Sequence, residues 1–119
     1  MKAHALAHPI PDAPTPDQIR QATSTLADLA AYLRSYPPLD EALPLLAPLL
    51  DEDDGVPILL GDALRPIARI IGRDAPSPWS EETRSTMEAF RNAAQEVTDW
   101  YVLHWTVQRL RTQVGAPGR

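Results

Sequence analysis

Hydrophobic positions recur along most of the chain at steps of three and four, the period of an amphipathic helix. Residues 79–114 contain no proline and carry two such lines. Met87, Phe90, Ala94, Val97 and Tyr101 form the first, which Trp105 extends. Trp100, Leu103, Val107, Leu110 and Val114 form the second, about 130° around the helix at about 100° per residue. A helix with one apolar stripe needs one partner surface. Two stripes on one rod predict that one is buried within the chain, the other against a second copy or another protein. At about 1.5 Å per residue such a rod approaches about 50 Å.

Three shorter helical patterns precede it. Thr15 is the expected N-cap of the first, Pro16 suits the first helical position, and Gln18 completes a capping box. Its stripe is Ile19, Ala22, Leu26, Leu29 and Leu33, and Pro37 and Pro38 stop it near Ser35. The second segment, 39–50, has helical spacing at Leu39, Leu43, Leu46 and Leu50. Pro44 and Pro48 each remove a backbone donor and clash one turn back, so a kinked helix or two short turns is expected. The third helix starts near Val56 or Pro57, with Asp54 as its cap, and ends at Ile71 or Gly72. Leu60, Leu64, Ile67 and Ile71 are its expected buried stripe, and Pro66 should bend it. Ser77 or Ser80 caps the last helix.

No period-2 alternation or hairpin dipeptide points to strands. The expected fold is therefore all-α: a small bundle of about four helices, the middle ones kinked by proline, with a long C-terminal helix. Residues 1–14 read as a flexible proline-rich arm, 15–114 as one helical domain and 115–119 as a flexible tail.

Composition narrows the function. The chain has no cysteine, which excludes disulfides, thiolate metal sites and a cysteine nucleophile and fits a reducing cytoplasm. A net charge of -5 opposes broad binding to nucleic acid or anionic membrane. Neither the start of the chain nor any apolar stretch has the form of a signal peptide or a membrane span. Lys2 is the only lysine among the basic residues, an arginine bias that suggests a GC-rich bacterial genome.

Candidate chemistry is sparse. Arg65, Arg69 and Arg73 recur every four residues and could grip phosphates; the plainer reading is a solvated helix back opposite the Leu60 stripe. Asp51, Glu52, Asp53 and Asp54 fit no EF-hand register, since Gly55 as position six puts Leu50 first and Gly61 twelfth. His4 and His8 are four apart, but Pro9 and Pro11 oppose a helix that would make them metal ligands. Asp99 and His104 are about 140° apart around the axis and do not face each other. No glycine-rich phosphate loop or nucleophile elbow is present. The chain is therefore expected to be no enzyme and to need no metal and no cofactor.

The aromatic cluster Trp100, Tyr101 and Trp105 is the leading candidate, either as an interface or as an intramolecular core of the bundle, because such rings bury large area at low entropic cost. The expected interface is Trp100, Leu103, His104, Trp105, Val107, Leu110 and Val114, with Arg109 and Arg111 offsetting the negative end of the helix. The function read from these residues is a protein-protein interaction or scaffold module. Its partner is a second copy, as a dimer, or another protein; no nucleic acid and no membrane is expected. Two alternatives stand beside it. One is an accessory regulator touching nucleic acid through Arg65, Arg69 and Arg73, clustered with Arg20, Arg34 or Arg84. The other is a binder of a small apolar ligand between Trp100, Tyr101 and Trp105.

Overall fold

A computed structural model describes residues 12–115. They form α1 (Pro16–Arg34), α2 (Leu39–Leu49), α3 (Val56–Asp74), α4 (Glu81–Thr98), a 3-10 turn (Asp99–Tyr101) and α5 (Val102–Gly115), with no strand among the described residues. α4, the turn and α5 succeed one another directly as the long C-terminal helix of a small all-α bundle. Most of the arm, including His4 and His8, and most of the tail lie outside the described residues. The chain divides into two compact units at Pro37 and Pro38, where the sequence alone suggests a single domain over 15–114.

The first unit holds α1, whose start obeys its sequence. Thr15 Oγ1 accepts from the Gln18 amide at 3.1 Å, and Gln18 Oε1 accepts from the Thr15 amide at 2.8 Å. This reciprocal box satisfies two donors that a helix start otherwise leaves open. At the other end Tyr36 adopts φ 57°, a left-handed conformation uncommon outside glycine and asparagine, and its amide donates to the Leu33 carbonyl at 3.0 Å. α1 has no buried residue.

The second unit starts with α2. It is one continuous helix that contains both Pro44 and Pro48, and not two short turns. The prolines lie four apart and exposed, so the carbonyls they leave without an intrahelical donor can turn to water. Ala42 and Leu43 are buried, and α2 packs along α5, where Val107 is buried.

The loop from α2 to α3 is built by Asp51. Its Oδ2 accepts from the amides of Asp53 and Asp54, both at 2.9 Å, in an Asx turn. The Gly55 amide closes the loop onto the Asp51 carbonyl at 3.0 Å. A Cβ on Gly55 would lie 2.5 Å from the Asp51 backbone nitrogen, so only glycine fits. Gly55, not Asp54, is the N-cap of α3, and no side chain caps it.

α3 and α4 form the main helix pair, antiparallel, with the Gly61 end of α3 beside Ala94 and Thr98 and the Gly72 end beside Met87 and Trp79. The expected apolar stripe is not what α3 buries. Pro57, Gly61, Ala68 and Gly72 are buried, while Leu60 is exposed and Leu64, Ile67 and Ile71 are half-buried. The small residues let the two backbones approach, and Leu64, Ile67 and Ile71 are left only half-covered. Across it, Ala94 is fully buried and Met87 nearly so. The Trp79 indole Nε1 donates to the Gly72 carbonyl at 3.0 Å, tying the α3–α4 loop to the end of α3.

The 3-10 turn at Asp99–Tyr101 is a departure from the expected uninterrupted helix. A 3-10 segment advances about 120° per residue against about 100° in an α-helix, so three residues rotate the downstream helix by roughly 60°. Burial changes line across it. In α4 the first line is buried at Met87 and Ala94; in α5 the second is buried at Val107, with Trp100, Leu103 and Val114 left exposed. One polypeptide thus uses both lines in succession, with α3 on the first and α2 on the second.

Candidate functional site

The surface that the two coverings leave open lies at the junction. Trp100, Tyr101, Val102, Leu103 and Trp105 are each between 41% and 52% exposed. These large apolar side chains occupy five of six consecutive positions, starting in the 3-10 turn and entering α5. His104, the sixth, is turned inward. Its Nε2 lies 3.5 Å from Glu52 Oε1 in the α2–α3 loop, and its ring meets that of Trp105 edge-on with centroids 5.0 Å apart. The histidine thereby lies between the loop and α5, beside the base of Trp105.

The seven expected interface residues separate on this geometry. Trp100, Leu103, Trp105 and Val114 are exposed, and Leu110 and His104 are half-buried. Val107 is 4% exposed, so its place is in the packing of the chain itself, because the 3-10 turn swings it beneath α2. Tyr101 and Val102 join the exposed group, although the sequence pattern does not place them in the interface. The aromatic trio does not close one pocket. Trp105 borders an open recess of about 420 Å³ whose other walls are Gln108, Arg109, Thr112 and Gln113, all on α5; Trp100 and Tyr101 are not among them.

The arginine stripe also divides. Arg73 is held by Asp74, with Nε and Nη2 donating at 2.8 and 3.0 Å to its two carboxylate oxygens. This pairing holds the Asp74 carboxyl below its ordinary range and raises Arg73. Arg65 is half-buried; its Nη2 donates 2.8 Å to Thr98 Oγ1 on α4, and its Nη1 lies 3.4 Å from Asp62. Arg65 and Arg69 do not lie on the side of α3 away from α4, although Arg69 is exposed. They border a recess of about 230 Å³ shared with Ala68 on α3 and with Arg91 and Gln95 on α4. Arg91 and Gln95 escape a reading of α3 alone, since only the pairing of the two helices brings them in.

Among the described residues no group of three or more histidine or acidic side chains is placed to hold a metal ion. No described helix is long and apolar enough to cross a membrane. The fold and surface define a small all-α protein with exposed aromatic side chains at the start of α5. No family model matches the chain, and neither a curated protein nor a solved structure matches it closely enough to show a relationship.

Proposed function

We propose that this protein is a non-enzymatic interaction module of the cytoplasm that forms a two-fold dimer through the aromatic face at the start of α5. The observation that carries the reading is the exposure of five large apolar side chains, Trp100, Tyr101, Val102, Leu103 and Trp105, within six consecutive positions at the start of α5. Large apolar side chains gathered at one level of a helix mark an interaction site more than scattered single ones do. Tryptophan and tyrosine suit the role, since each buries roughly 150–250 Å² and keeps a polar tip for the rim.

A second copy is the occupant that the charge pattern favours. Between residues 100 and 107 the side chains carry no fixed charge, and the imidazole of His104 is engaged by Glu52. Such a face has nothing that selects an oppositely charged partner, and a second copy offers it an equally uncharged apolar surface. A two-fold axis through it buries both copies and closes the assembly.

Light scattering of the purified chain gives the test. The wild type is expected at twice the monomer mass, and Leu103→Glu with Trp105→Glu is expected at the monomer mass with unchanged helical circular dichroism. Val107→Glu serves as the contrast, since it strikes the α2–α5 packing and lowers helicity. A monomeric wild type, or a dimer that survives the double substitution, overturns the proposal.

A further inference from the structure

We propose that the recess between α3 and α4 binds a phosphate dianion, free or as the monoester group of a small molecule. Its walls are Arg65, Arg69, Arg91 and Gln95, and Ala68, 1% exposed, lies between the helices beside them. Two i, i+4 pairs face one another here, Arg65 with Arg69 on α3 and Arg91 with Gln95 on α4. The antiparallel packing set by Gly61 and Gly72 brings them together.

The charges around the recess are unbalanced. The chain as a whole carries -5, yet three guanidinium groups border one cavity. Among the described residues neither Arg69 nor Arg91 has a carboxylate within ion-pair distance, and Arg65 has only Asp62 at 3.4 Å. The nearby carboxylate of Asp99 is occupied, accepting from Gln95 Nε2 at 2.9 Å. Arg73, the next residue of the stripe, shows the contrast, since Asp74 takes it bidentately. Like charges held around a cavity repel one another until an anion enters.

Shape and donor type narrow the ligand. Guanidinium forks match phosphate oxygens two at a time; Arg69 and Arg91 present two such forks, while Arg65, held by Thr98 and Asp62, adds charge to the wall. The cavity, about 230 Å³, lies below the roughly 300–1,000 Å³ of sites that enclose a drug-sized molecule. At about 30 Å³ per water it admits a phosphate group with part of its hydration shell. The rest of a larger molecule would remain outside.

Isothermal titration calorimetry with inorganic phosphate at low ionic strength, against chloride of matched ionic strength, tests this. Saturable one-to-one binding is expected, weakened at least tenfold by Arg69→Gln and by Arg91→Gln. Both positions are exposed, so helicity should be retained. Arg73→Gln should leave binding unchanged. Absence of saturable binding, or affinity unaltered in both recess variants, overturns the proposal. So does capture of a DNA duplex that phosphate fails to displace, which would assign these arginines to a nucleic-acid backbone. The recess and the α5 aromatic residues share no side chain, so loss of the dimer in the α5 variant leaves phosphate binding unchanged.

Discussion

The Arg65 guanidinium reaches from α3 to Thr98, the last residue of α4, and donates a 2.8 Å hydrogen bond to its hydroxyl. The same hydroxyl occupies the space into which a Cβ on Gly61 would project. One threonine oxygen thus fixes both the orientation of a recess arginine and the closeness of two helices. Thr98→Val keeps the shape and removes the acceptor. It is expected to destabilise the fold by about 1 kcal/mol, the size of a partly exposed bond from a charged donor, as measured by urea unfolding.

Gly61 and Gly72 should respond differently to alanine. At Gly61 the new methyl meets Thr98 Oγ1 and lies 3.2 Å from the Ala94 carbonyl oxygen, which is backbone and cannot rotate away. Overpacking of roughly 1–3 kcal/mol then outweighs the roughly 1 kcal/mol that alanine adds as a helix former. At Gly72 the nearest atom is the methyl end of Met87, at 2.7 Å, which can swing aside, though the Trp79 ring at 3.0 Å limits the space. Gly61→Ala is expected to lower the urea midpoint more than Gly72→Ala does.

The α2–α5 packing depends on few side chains. Leu43 and Val107 are each 4% exposed. Leu43→Ala should cost roughly 2–4 kcal/mol, from lost transfer energy and the cavity left behind. Leu103→Ala, at an exposed site, should cost well under half of that in the monomer. Chemical denaturation of the two variants at low protein concentration makes the comparison.

Acid should weaken the α2–α3 loop. Hydrogen bonds from the Asp53 and then the Asp54 amide hold the Asp51 carboxyl below its ordinary value, with a smaller contribution from His104. A group whose folded pKa is depressed stabilises above its unfolded pKa and loses that contribution as pH falls through the folded one. The stabilisation from Asp51 is therefore complete at neutral pH, begins to be lost below about pH 4, the ordinary aspartate range, and is gone only below the depressed folded pKa. Asp51→Asn should show a shallower fall in urea midpoint than the wild type between about pH 4 and pH 2. Equal slopes would mean that the charge on Asp51 plays no part.

Local chemistry is where the sequence reads directly. The run Thr15, Pro16, Asp17, Gln18 names a helix start, since each residue meets a need of the first turn itself. Pro37 and Pro38 likewise mark its end. The burial of α3 is harder, because the largest apolar residues are not the closest to the partner helix. Gly61, Ala68 and Gly72, spaced by seven and four, are the available signal: small residues on one face allow near approach of backbones. Arg91 and Gln95 carry no local signal of a recess at all. Their meaning depends on which residues of another helix lie opposite.

The order and type of the helices, the capping box of α1 and the two apolar lines of the last third are dictated by the chain alone. Each depends on interactions within a few residues or on the 3.6-residue period. Which line is covered at each point, the inward turn of His104 and the gathering of Arg65, Arg69 and Arg91 around one recess come only from tertiary packing. A 3-10 turn of three residues shifts the phase of the whole helix after it, and small-residue contacts set the distance between helices. Both decide geometry between segments far apart in sequence, where residue pattern alone carries no distance.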